Sequence, residues 1–287
     1  MEIAGRGRRQ GRRKERAMMR HRVQCMIWVV TVLLSIPLSG ESQSPRPKLE
    51  GMWSDPPSTA VGAFCTFACT DAGLDRLNAL LDNPANDARP FEDLQAEAKK
   101  YEREYLRDHL TASALKTYPL DPADDPGFLR CEPWGLARQM FAPHQLEIRQ
   151  RGADRLEFRY GEWDARRTIF LDGRKIPANQ GPSALGHSVG RWDGETLVVE
   201  TSGIAANIAG LPDLSTTVRH SDQLHIVERY TRSKEADTLQ LTATIEEPST
   251  LKEPVVLKKI WRWAPASKIT PYENCQRPTE FKKGVRP

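Results

Sequence analysis

The chain has 287 residues, with 42 basic and 38 acidic side chains and a formal net charge of +4, a size that fits one large or two small domains. Nine of the basic and two of the acidic residues fall within residues 1–24, so the remainder carries 33 against 36, a net of −3. That balance excludes nucleic acid as a partner, because such binding rests on neutralising phosphates with Lys and Arg.

In chain order, the basic opening leads into residues 26–39, apolar apart from Thr31 and Ser35, with Pro37 and the small pair Ser39-Gly40 at the end. A basic segment, a short apolar run and small residues together read as a secretory signal over residues 1–40. The mature protein is therefore expected in the periplasm or secreted, with a retained N-terminal anchor as the alternative. The apolar run is too short for an ordinary membrane span of ~20 residues. Cys25 lies in this segment, and Cys65, Cys69, Cys131 and Cys275 remain, an even number suited to disulfides in an oxidising compartment. Three pairings are open, and Cys65–Cys69 with Cys131–Cys275 is the one expected. The second bond would close a loop of ~145 residues, worth ~3–5 kcal/mol through chain entropy. Cys65-x3-Cys69 has no nearby His to make a zinc site, so no metal is expected.

Residues 41–130 read as an irregular segment carrying two helices. Asp71–Leu81 places Leu74, Leu77, Leu80 and Leu81 on one face, and Asn83-Pro84 ends it. Pro90 opens a second helix of about 20 residues, with Phe91, Leu94, Ala98, Tyr101 and Tyr105 as a packing stripe. Residues 131–287 read as a β domain with a C-terminal tail. Apolar alternation and turn residues mark strands at 146–150, 156–160, 166–171, a hairpin at 186–201, then 224–232, 238–245 and 255–263. Asp193-Gly194 at the hairpin tip fits a type I′ turn. That turn sets Trp192 opposite Glu195, Arg191 opposite Thr196, Val189 opposite Val198 and His187 opposite Glu200. Eight strands in a meander shed their edges most simply by closing, so the expected fold is mainly β, an antiparallel up-and-down barrel behind two N-terminal helices.

Several ordered motifs carry a resemblance. Cys131-Glu132-Pro133-Trp134-Gly135 precedes Arg166-Arg167-x-Ile169-x-Leu171-Asp172-Gly173-Arg174. Gly186-His187-Ser188-x-Gly190-Arg191-Trp192-x-Gly194-x-Thr196-Leu197-Val198-Val199 follows, then His220-Ser221-Asp222-x-Leu224 and Val227-Glu228-Arg229-Tyr230. Over roughly residues 131–275 this resembles a largely uncharacterised family of exported bacterial proteins. The resemblance implies export and a lipocalin-like (calycin) barrel, and it brings no established reaction. Gly51-Met52-Trp53 is similar to the Gly-x-Trp that opens lipocalin barrels. The chain departs from the family pattern at residues 172–177, where Ile176 stands in place of a His, and residues 204–218 lack the usual aromatic and acidic residues.

The hairpin has two faces. One carries His187, Val189, Arg191, Thr196, Val198 and Glu200. The other, more apolar, carries Ser188, Gly190, Trp192, Leu197, Val199 and Thr201. With the apolar face inward, His187 and Glu200 form an outer cross-strand pair. With the faces reversed, Glu200 orients His187 as a general acid or base inside a cavity, and the second helix covers the outer wall. Glu228 lies on an apolar strand face and needs a cationic partner, for which Arg166, Arg167 and Arg191 are candidates. The pair is either an internal brace or a second acid/base group. Arg174, Trp192, Tyr230, His220 and Ser221 complete the candidate ligand contacts. No Gly-x-Ser-x-Gly elbow, phosphate-cradling loop or dinucleotide fingerprint occurs, so no cofactor is expected. The sequence thus supports a cofactor-free lyase, isomerase or cyclase acting on a small, largely apolar molecule. The alternative is a non-catalytic carrier of a hydrophobic or aromatic ligand. Oligomeric state is left open, and no stable membrane span is expected once the signal is removed.

Overall fold

The computed structural model describes residues 46–56, 61–118, 134–176, 179–206, 209–212, 217–235 and 237–269. The expected signal over residues 1–40, Cys131 and Cys275 lie outside these residues. Cys65 and Cys69 are joined in a disulfide.

Nine strands close a barrel. They are β1 (Gly51–Ser54), β2 (Leu146–Gln150), β3 (Arg155–Tyr160), β4 (Arg166–Phe170), β5 (His187–Asp193), β6 (Thr196–Ser202), β9 (His225–Ser233), β10 (Thr238–Glu246) and β11 (Val255–Trp263). Around the barrel the order is β1-β11-β10-β9-β6-β5-β4-β3-β2. The short strands β7 (Ala209–Pro212) and β8 (Thr217–Arg219) pair separately. The fold is the expected mainly-β, lipocalin-like barrel, with two differences.

The first is β1, which falls in a segment expected to be irregular. It pairs antiparallel with β2 through Gly51↔Ile148 and with β11 through Trp53↔Trp263, and so closes the ring. Four residues are too few for periodicity to reveal, and the sign of this strand is the likeness of Gly51-Met52-Trp53 to the opening of lipocalin barrels. The second is that β4 and β5 run parallel, matched only at Ile169↔Ser188 and Phe170↔Val189. Every other pairing is antiparallel. Two neighbouring strands that run the same way interrupt the meander there.

Period-2 alternation decides what points inward. Leu239, Leu241, Ala243 and Ile245 of β10, Ile226 and Tyr230 of β9, Leu156 and Phe158 of β3, and Leu257 and Trp261 of β11 are all buried in one apolar cluster. A short helix, α3 (Leu136–Phe141), adds Leu136, Ala137, Met140 and Phe141 to the same core.

The helices α1 (Asp71–Leu81) and α2 (Phe91–Asp108) match the two expected. Thr70 caps α1 by accepting from Gly73 N, the Ncap role that suits Thr. The two helices build a second cluster of Phe64, Cys65, Cys69, Leu77, Leu80, Leu94 and Ala98. Ile260 packs against this cluster, and Cys69 exchanges backbone hydrogen bonds with Lys258. The helical layer therefore sits against β11, not over the β5–β6 hairpin as the reversed-face expectation required. Tyr101 and Tyr105 lie off the buried stripe and are exposed. Among the described residues no helix is long and apolar enough to cross a membrane.

Candidate functional site

The hairpin turn falls one residue later than expected. Gly194 and Glu195 form the two-residue loop, and Asp193 pairs with Thr196. Gly194 has φ 58°, whereas Asp193 and Glu195 do not enter positive φ. A single positive φ at the first loop position is the type II′ habit, and type I′ would need two. This slip moves every partner. His187 lies opposite Ser202 and Val189 opposite Glu200. The expected His187–Glu200 couple does not form.

The more apolar face points inward. Ser188, Leu197, Val199 and Thr201 are buried, while Arg191 and Glu200 are exposed. Glu200 meets a different imidazole. His225 Nε2 lies 3.1 Å from Glu200 and its Nδ1 3.2 Å from Glu246, all on the wet outer surface. Trp192 is half-buried near the tip, with Arg46 at 6.0 Å from its ring. His220 and Ser221 belong to a local turn. His220 donates from Nδ1 to the Ser221 carbonyl (2.8 Å), Ser221 donates from Oγ to Glu247 (2.9 Å), and burial pulls the His220 pKa down.

Inside the barrel the polar groups gather around Glu228. Arg167 donates to both its oxygens, at 2.8 and 2.7 Å, in the two-pronged geometry that suits guanidinium and carboxylate. Tyr230 donates to Glu228 Oε2 at 2.6 Å and Thr201 donates to Oε1 at 3.3 Å. Ser188 hydrogen-bonds to Thr201 at 2.9 Å. Strand parity explains the convergence. Arg167 shares its inward face with Ile169, and Arg166 faces outward with Thr168, where it pairs with Asp164 at 3.2 Å. Of the three arginines proposed for Glu228, the barrel selects Arg167.

Burial opposes the charge on Arg167, but the Glu228 carboxylate outweighs it and holds the guanidinium pKa well above its ordinary value. Burial, reinforced by the same carboxylate, pushes the Tyr230 pKa far up. Burial raises Tyr160 to about 12 against the pull of Arg167. Both phenols therefore stay protonated at neutral pH, and Arg167 stays charged. This cluster has the properties of a brace.

A second inward polar group was missed from sequence. Lys259 is fully buried, donates to the Ala142 carbonyl at the end of α3, and lies 3.8 Å from Asp55 just after β1. Burial lowers its pKa to about 8, with Asp55 opposing, and burial raises the Asp55 pKa against the attraction of Lys259. The signal was present in the alternation Val255-x-Leu257-x-Lys259-x-Trp261.

A cleft of about 510 Å³ opens at the short parallel match of β4 and β5. Phe170, Ile176, Leu185 and Val189 give it apolar walls, and Arg166, Arg167, Arg174, Lys175 and His187 also line it. His187 is half-buried and donates from Nε2 to the Gly181 carbonyl at 2.7 Å. Arg174 lies 3.8 Å over the Phe170 ring and donates to Asp172 at 2.9 Å. The wall depends on two glycines. Gly186 sits at φ +65°, and a Cβ there would lie 2.7 Å from the Ser202 carbonyl oxygen. A Cβ on Gly190 would lie 2.8 Å from Ile169 Cγ2. The cleft thus brings together four of the expected residues: Arg166, Arg167, Arg174 and His187. Arg191, Trp192, Glu200, His220, Ser221, Glu228 and Tyr230 do not line it. Lys175 lines it without having been foreseen. Among the described residues no group of three or more His, Cys, Asp or Glu side chains is placed to hold a metal ion. Comparison of the chain with family models, with curated proteins and with solved structures finds no match.

Proposed function

We propose that the barrel binds a small, largely apolar organic molecule in the cleft between β4 and β5, and that it acts as a carrier. The observation that carries this reading is the cleft itself. Its volume of about 510 Å³ lies within the range of small-molecule sites, which join apolar walls to a few placed polar groups. The buried cluster around Glu228 favours binding over turnover, because neither its guanidinium nor its phenols exchange a proton near neutrality. The Cys65–Cys69 disulfide supports an oxidising compartment, in keeping with export directed by residues 1–40. Gly186, His187 and Ser188 line one wall of the cleft, and Gly190 lets that strand approach β4.

One observation favours acid/base chemistry as the second reading. The Nε2–H of His187 is held by the Gly181 carbonyl, which leaves Nδ1 as the acceptor nitrogen of the neutral ring. His187 would then act as a lone base beside the ligand, without Glu200.

The test is to fill the cleft. A panel of small apolar and amphipathic molecules is expected to raise the melting temperature of the protein and to leave that of Ala184→Trp unchanged. Equal shifts in both proteins would place binding elsewhere and overturn the proposal. Product formed from a panel member, and lost in His187→Gln, would replace the carrier reading with the catalytic one.

A further inference from the structure

We infer that the ligand of this cleft is an amphipathic anion, a small molecule with an acidic head and an apolar body. The inference rests on the binding proposal above and adds the charge of what is bound.

The lining is one-sided in charge. Four of the residues around the cleft are cations (Arg166, Arg167, Arg174 and Lys175), and none is Asp or Glu. The arginines do have partners, but those carboxylates stand outside the lining. Asp164 holds Arg166, Glu228 holds Arg167 and Asp172 holds Arg174. Lys175 has no ion-pair partner among the described residues, so the cleft keeps one uncompensated positive charge. Arg167 contributes a second feature. Both its terminal nitrogens are committed to Glu228, while its Nε–H is buried without an acceptor. A buried donor left without an acceptor is costly, and an acidic oxygen is the acceptor best suited to relieve it. An alcohol or amide head would leave Lys175 unanswered. A cationic head would be repelled by Lys175 and would find no carboxylate in the lining.

The walls set the rest of the ligand. Phe170, Ile176, Leu185 and Val189 supply apolar surface to the same space, so inorganic phosphate or sulfate alone would leave those walls facing water. A carboxylate, sulfonate or phosphate ester on a short hydrocarbon body satisfies both parts. Since the head group is held by charge, its binding should weaken with salt while the apolar contribution should not.

The experiment compares three probes of one length on the full chain at neutral pH by titration calorimetry: octanoate, 1-octanol and octylammonium. Octanoate is expected to bind at least about tenfold more tightly than either, the factor that one charge-assisted hydrogen bond supplies. Lys175→Ala sits on an exposed loop and should leave the fold intact. It is expected to weaken octanoate severalfold and to leave 1-octanol unchanged. Equal affinity for octanoate and 1-octanol, both blocked by Ala184→Trp, would overturn the anionic assignment and keep the cleft as a binding site. Octylammonium binding best would overturn it as well. No binding of any probe, or binding that Ala184→Trp does not block, would overturn the carrier reading along with this one.

Discussion

Arg167 and Glu228 bring opposite charges into the barrel interior, where they are only 2% and 0% exposed. Neither would remain ionised there alone. Together they complete one neutral unit with Tyr230 and Thr201. Removing one member of such a pair leaves an uncompensated buried charge, at a cost of about 3–5 kcal/mol, whereas replacing both by apolar groups of similar volume is often neutral. Arg167→Met alone should therefore lower the unfolding free energy by that amount. The double variant Arg167→Met with Glu228→Leu should recover most of it. Urea unfolding of the three proteins decides this, and a double variant no better than the single one would end the brace account. The sequence reached part of this arrangement. An acid among Leu224, Ile226 and Tyr230 demanded a cation, but three arginines fitted. The choice needed the parity of β4, which Ile169 settles once its strand is known to face inward. Lys259 was equally visible in its alternation with Leu257 and Trp261. It drew no notice because lysine is ordinarily a surface residue.

At the level of elements, strand positions were legible and their partners were not. Alternation marks where a strand runs, and β2, β9, β10 and β11 fall within a residue of the expected limits. Register depends on a turn, and Asp193-Gly194-Glu195 accommodates two turns that differ by one residue. The observed one sends His187 to Ser202 and gives Glu200 to His225. The parallel seam was harder still, because the residues between Phe170 and His187 carry no local sign of which way the chain returns. Gly190 is the residue that makes the seam close. β5 passes so near β4 that a Cβ at Gly190 would lie 2.8 Å from Ile169 and 2.9 Å from Leu171. Gly190→Ala should cost about 1–3 kcal/mol, the usual penalty of overpacking. Gly181→Ala, where a Cβ would meet nothing within 4 Å, is the control and should change stability little. Thermal unfolding of both variants checks the claim, and equal melting temperatures would mean that the seam yields without strain.

The stability of the whole molecule joins these parts through Lys259, which links β11 to the end of α3 and to the residue after β1. Its burial gives stability a specific dependence on alkaline pH. The folded chain releases the Lys259 proton at about 8, while the unfolded chain holds it up to the ordinary 10.5. Between those values the unfolded state binds more protons, so raising the pH favours folding. Below about 8 the burial penalty is present in full, and by 10.5 it has gone, a gain of about 3 kcal/mol. The tyrosines act with the opposite sign. Tyr160 holds its proton up to about 12 when folded and to the ordinary 10.0 when unfolded, so the folded state binds more protons in that interval and stability falls as pH rises. Tyr230 is shifted the same way. Unfolding free energy should therefore climb from about 8, pass through a maximum near 10 and then decline. Urea titrations across this range measure the curve. Lys259→Met should remove most of the climb, leaving the part due to Lys99, whose pKa burial also lowers, and should keep the decline, because both phenols stay in place. A curve that falls steadily from neutral pH in the wild-type protein would mean that Lys259 is solvated, and that the barrel end held by α3 is open to water.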